Sequence, residues 1–228
     1  MKLAYRDVPA PEPPGRAGSG MPAVVLHREG ETSFGRPLDV VRATREVGRV
    51  LVPFGNYASY PSGMEVGGIC WYRLLPGYAG TDPISLATAV VQVCDLLDDQ
   101  ELSGALLVGF GQGAVVALGA GLLRAGRVRA LVCADLHEAH LDLLPAAVWE
   151  AGDPPPVLLA RAGASTDGDG AGMVLEREQE ALATRGVAAS TWSWVGEAAD
   201  RDATERALSD GIAGWIRALP RLHFEEVP

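Results

Sequence analysis

The chain has 228 residues, enough for one sizeable α/β core, and a formal net charge of −10 that opposes binding to phosphate backbones. Hydrophobic residues make up 48%, yet no apolar run approaches the roughly 20 residues of a membrane span, so neither a membrane nor a nucleic-acid partner is expected. Met1 to Gly20 lacks the apolar stretch of a secretory signal, and the 3 cysteines, Cys70, Cys94 and Cys133, are widely spaced, which suits reduced thiols and a cytoplasmic location.

In chain order, Leu3 to Val8 reads as a short edge strand, and residues 9–20, rich in proline and glycine, as a connector within a single domain spanning 1–228. Apolar runs recur at Ala23 to Leu26, Val50 to Val52, Ala105 to Val108, Ala130 to Ala134, Val157 to Ala160 and Ser190 to Val195. Most lack strict alternation, as strands buried on both faces do. Trp192 and Trp194 share one strand face and read as core.

Helices fall between the runs. Asp82-Pro83 supplies an N-cap and first-turn proline, followed by Ile84, Ala87, Val90, Val91, Cys94 and Leu97 at helical spacing. Gln112 to Ala125, Met173 to Arg185 and Ala203 to Leu219 are the other helical segments. Alternating strands and helices imply an α/β fold with a mostly parallel sheet flanked by helices on both faces.

The stretch Leu107-Val-Gly-Phe-Gly-Gln-Gly-Ala-Val-Val-Ala117 runs from a buried strand through a glycine-rich turn into a helix. That is the context of a nucleophile elbow, G-x-S-x-G, where the glycines admit a turn too tight for neighbouring side chains. Gly109 and Gly113 fit the pattern, but the central residue is Gly111, which has no oxygen with which to attack a carbonyl.

With this landmark, nearly the whole chain resembles the small phospholipase/carboxylesterase branch of the α/β hydrolases. Val24-Val-Leu-His27 is similar to that branch's strand ending in Leu-His-Gly, with Arg28 in place of the glycine. Val52-Pro-Phe-Gly55, Trp71-Tyr-Arg-Leu74 and Pro156-Val-Leu-Leu-Ala-Arg-Ala-Gly163 resemble further strand ends and the tryptophan-containing loop. The resemblance implies the triad aspartate near Asp167 or Asp169, and puts Trp194-Val-Gly-Glu-Ala198 where the triad histidine belongs. Glu197 or a neighbour then holds the histidine position, and a carboxylate cannot supply an imidazole's paired donor and acceptor.

What is left is an apolar pocket walled by Phe110, Phe54, Trp71, Val195 and Val40 or Val41, with His27 as a pocket residue or a structural histidine satisfied by backbone. The backbone N–H of Gln112 is the first expected oxyanion donor and Arg28 or Glu29 the source of a second, with no well-placed general base. The base must then come from elsewhere, and one solution is a substrate whose own carboxylate removes a proton. The segments Gly109-Phe-Gly-Gln-Gly113 and Val195-Gly-Glu197 resemble the atypical α/β-hydrolase-fold epimerases of bottromycin biosynthesis. That resemblance implies inversion of an aspartyl α-carbon beside a thiazoline in a ribosomally made peptide, by substrate-assisted deprotonation and without a cofactor. A ligand-binding pseudohydrolase and an unconventional esterase, the latter using the Cys70 thiol, are the alternatives. His137 and His140, with Asp135 and Glu138 nearby, lack the convergence a metal site needs, and no metal is expected.

Overall fold

The computed structural model describes residues 3–8, 20–31, 47–58, 68–73, 81–136, 138–164, 171–196 and 201–219. Its strands are β1 (Tyr5–Val8), β2 (Met21–Leu26), β3 (Val47–Pro53), β4 (Tyr57–Ala58), β5 (Ile69–Cys70), β6 (Ala105–Phe110), β7 (Val128–Ala134), β8 (Val157–Ala164) and β9 (Ala189–Gly196). The helices are α1 (Pro83–Asp99), α2 (Gln112–Leu123), the single turn α3 (Ala146–Trp149), α4 (Ala171–Ala183) and α5 (Arg201–Ala218).

A seven-stranded sheet runs β1-β3-β2-β6-β7-β8-β9, with β4 and β5 paired separately. Only the edge pair β1–β3 is antiparallel in the large sheet, and every other neighbouring pair is parallel. The first strand is thus the edge strand expected from Leu3 to Val8. Of the connector over 9–20, Gly20 alone lies among the described residues.

Alternation along buried strands divides the core into two layers. Leu107, Leu131 and Leu159 point to one side and meet α1, α2 and α4 through Leu86, Val90, Leu118, Leu175 and Leu182. Leu106, Val108, Val132 and Leu158 point to the other and meet α5 through Leu208, Ile212 and Ile216. Helices therefore cover both faces, as the parallel sheet requires.

The Asp82 carboxylate caps α1 by accepting a hydrogen bond from Ile84 N at 3.1 Å. The buried stripe is Leu86, Ala89, Val90, Val93, Cys94 and Leu97, whereas Ile84 is 76% and Val91 52% exposed. The helix expected here is present, but its phase differs from the spacing read in the sequence. Apolar residues lie on more than one side of α1, and contact with the sheet selects among them. Trp192 and Trp194 are half-buried, so their core assignment is only partly met. Trp192 lies against α5 where Gly211 has no side chain, since a Cβ there would stand 2.3 Å from the indole.

Candidate functional site

Parallel strands deliver their C-terminal ends to one edge of the sheet, and the functional positions of such folds collect there. At that edge β6 turns into α2 through Gly111, whose φ of 55° and ψ of −119° form a strained turn suited to glycine. Gly111 N donates to Ala134 O at 2.9 Å, tying the turn to the end of β7. The flanking glycines are required by close approach: a Cβ on Gly109 would stand 2.2 Å from Gly113 O, and one on Gly113 would stand 2.5 Å from His27 O. The turn thus has the elbow geometry expected of residues 109–113, with no side chain at its apex.

The apex is occupied from another part of the chain. Glu29, in the turn after β2, accepts a hydrogen bond at Oε2 from Gln112 N at 2.9 Å. A Cβ on Gly111 would lie 2.5 Å from that same oxygen and 3.0 Å from Arg28 Cγ. The Glu29 carboxylate therefore stands in the volume an elbow side chain would take, at the positive end of the α2 dipole. This differs in two ways from the sequence-based expectation: Gln112 N–H already serves an acceptor, and a carboxylate is present where no general base was foreseen. Arg28 pairs with Asp135 at the end of β7, and its backbone N donates to Glu31 Oε2 at 3.1 Å. That Arg28 N–H, one source considered for a second oxyanion donor, is thereby engaged within the turn.

Beneath the elbow lies a buried polar lattice. Gln112 Oε1 accepts from Trp71 N at 3.0 Å and Tyr72 N at 3.4 Å, while its Nε2 donates to Tyr72 O at 3.4 Å. Trp71 Nε1 donates to His27 O at 2.9 Å, and its ring stacks on His27 with centroids 4.9 Å apart. Trp71 and Phe110 are buried, so they back the site from within more than they line an open cavity, and Phe54, directly after β3, is half-buried.

His27 is fully buried. Gly55 N donates to its Nε2 at 3.0 Å, which leaves Nδ1–H to donate to Arg28 O at 2.7 Å. Of the two roles open to His27, the structural one fits: both ring nitrogens serve backbone. Burial pulls its pKa down to about 4, against the raising effects of Arg28 O and Glu29. The unfolded chain then takes up this proton first, so His27 adds stability above about pH 6.5 that is lost as pH falls towards 4. At about 1.4 kcal/mol per tenfold change in proton affinity, the loss is about 3 kcal/mol. Urea unfolding at pH 7 and pH 4.5 should show a smaller pH difference in His27→Gln than in the parent; equal differences would refute the assignment. Glu178, raised by burial to about 7 against the pull of Arg161, acts in the opposite sense in both proteins and cancels in the comparison.

Val195 lies in β9 opposite Gly163, while Val40, Asp167 and Glu197 lie outside the described residues. His137 also lies outside them, and His140 Nδ1 is hydrogen-bonded to Tyr72 Oη at 2.7 Å. No group of three or more potential metal ligands converges among the described residues. Cys70 is buried with its thiol on Ala58 O at 3.8 Å, and burial raises its pKa, disfavouring the nucleophilic thiolate. No described helix is long and apolar enough to cross a membrane.

No family model matches the chain, and no curated protein matches it. Solved structures do. Esterase PE8 is 19% identical with a TM-score of 0.64, covering 95% of this chain and 99% of its own. The carboxylesterase from Mesorhizobium loti is 16% identical with a TM-score of 0.61, covering 93% and 95%. The Bacillus cereus carboxylesterase is 13% identical with a TM-score of 0.59, covering 92% and 94%. With the strand order above, these likenesses establish the α/β-hydrolase fold; at such identities they establish the fold alone.

Proposed function

We propose that this chain is a non-hydrolytic enzyme on the α/β-hydrolase fold, an isomerase that inverts an aspartyl α-carbon beside a thiazoline in a small ribosomally made peptide of the bottromycin type. The observation that carries the first half is Gly111: the apex of the elbow bears no oxygen or sulfur, so an acyl-enzyme cannot form there. Proton transfer at carbon requires no such bond. The thiazoline acidifies the neighbouring C–H, the substrate's own carboxylate takes the proton, and the site holds the reacting groups in register. The peptide substrate rests on the resemblance of Gly109-Phe-Gly-Gln-Gly113 and Val195-Gly-Glu197, and the solved neighbours add nothing to it.

Those neighbours favour a second reading, an esterase working without an elbow serine. The two separate cleanly. Incubation with a synthetic aspartyl-thiazoline peptide in deuterium oxide should place deuterium at the aspartyl α-carbon, whereas activated esters should turn over no faster than in buffer. Ester turnover abolished by Cys70→Ser, without deuterium uptake, would replace the isomerase by the esterase. Neither activity would leave a ligand-binding pseudohydrolase.

A further inference from the structure

Inversion at carbon poses a problem that a single base does not solve. A proton must leave one face of the α-carbon and another must arrive on the opposite face, so an acceptor and a donor are needed on the two sides of a near-planar intermediate. A substrate carboxylate that removes the proton and returns it from the same side restores the starting configuration.

We infer that Glu29 is the catalytic residue of the second face, the group that delivers a proton to the side of the α-carbon turned towards the elbow; this rests on the isomerase reading above. Its position is set by two contacts. Glu29 Oε2 is held at 2.9 Å by Gln112 N, and the same oxygen stands 2.5 Å from where a Cβ of Gly111 would be. The carboxyl group therefore replaces the elbow side chain in space, although it comes from the turn after β2. A substrate centred over Gly111 presents one face to it. The substrate's own carboxylate is excluded from that space by volume, and must lie over the opposite face.

The α-C–H bond breaks, its proton forms an O–H bond on the substrate carboxylate, and the electron pair delocalises into the heterocycle. Glu29, as the carboxylic acid, gives its proton to the other face and a new C–H bond forms. Water re-protonates Glu29 and accepts the proton held by the substrate. Gln112 N–H holds the Glu29 carboxyl in place through Oε2 at 2.9 Å. Glycine at 111 acquires a reason within this scheme: any larger residue displaces the acid.

Glu29→Gln is close in shape, and its amide oxygen can still accept from Gln112 N. The test uses the full chain, a synthetic aspartyl-thiazoline peptide and deuterium oxide, following deuterium by mass spectrometry and inversion by chromatography of the intact diastereomers. The parent should incorporate deuterium with inversion. Glu29→Gln should keep uptake within about threefold yet lose inversion by about 100-fold or more, the lower end of general-acid effects. Glu29→Asp, a carboxyl one methylene shorter, should recover part of the inversion. Inversion by Glu29→Gln at the parent rate would overturn the assignment, as would loss of uptake together with inversion, because Glu29 would then act in the first step. Absence of uptake in the parent would remove the isomerase reading itself and this assignment with it.

Discussion

Replacing Gly109 by alanine should destabilise the protein by about 3 kcal/mol or more, an amount reserved for substitutions with a distinct steric cause. The new Cβ would stand 2.2 Å from Gly113 O and 2.5 Å from Ala114 Cα. Both obstacles are backbone, in the first turn of α2, so no side-chain rotation relieves them. Relief requires α2 to lift from β6, yet α2 is buried along almost its whole length between the sheet and α1. Gly126 provides the control: a Cβ there meets nothing within 4 Å, and Gly126→Ala should change stability by no more than about 0.5 kcal/mol. Urea unfolding measures both. Equal midpoints for the two variants would show that the elbow does not need glycine at 109 for packing.

The same contrast explains what is legible in the sequence. Gly109 and Gly113 are four residues apart and touch each other, so their spacing carries the turn geometry in local form. The apolar runs are legible in the same way: burial on both faces removes alternation, and the runs Ala105 to Val108 and Ala130 to Ala134 fall within the strands Ala105–Phe110 and Val128–Ala134. The phase of α1 was not legible, because Ile84 and Val91 are as apolar as Leu86 and Val93 and only contact with α2 and the sheet separates them. β4 and β5 are two residues each, too short for any period.

The position of Glu29 over the elbow is not legible in the sequence, for a more instructive reason. Its place depends on Gly30 at φ 74°, and on the ladder in which Gly30 N donates to Ile69 O at 2.9 Å and Ile69 N to Glu31 O at 3.3 Å. These contacts join residues nearly forty positions apart. Nothing in the pattern around Gly111 indicates that a side chain from position 29 will stand over it. The absence of an elbow nucleophile was therefore readable from one segment, while the group that takes its space required two.

Gln112→Ala should cost roughly 2 to 4 kcal/mol, because it removes the acceptor for two buried backbone donors at once. Trp71 N and Tyr72 N both point at Gln112 Oε1, and the amide also serves Tyr72 O. Alanine leaves these buried groups without that partner. Hydrogen exchange should report the loss locally, with reduced protection at Trp71 and Tyr72, while central β7 amides change only as global stability changes. The backbone N–H of residue 112 survives the substitution, so the hydrogen bond to Glu29 is not deleted directly. Any loss of inversion must then travel through the lattice: Trp71 Nε1 holds His27 O, His27 holds Arg28 O, and Glu29 follows in sequence. Unchanged protection at Trp71 and Tyr72 would mean that their amides have another acceptor, and that Gln112 does not anchor the segment under the elbow.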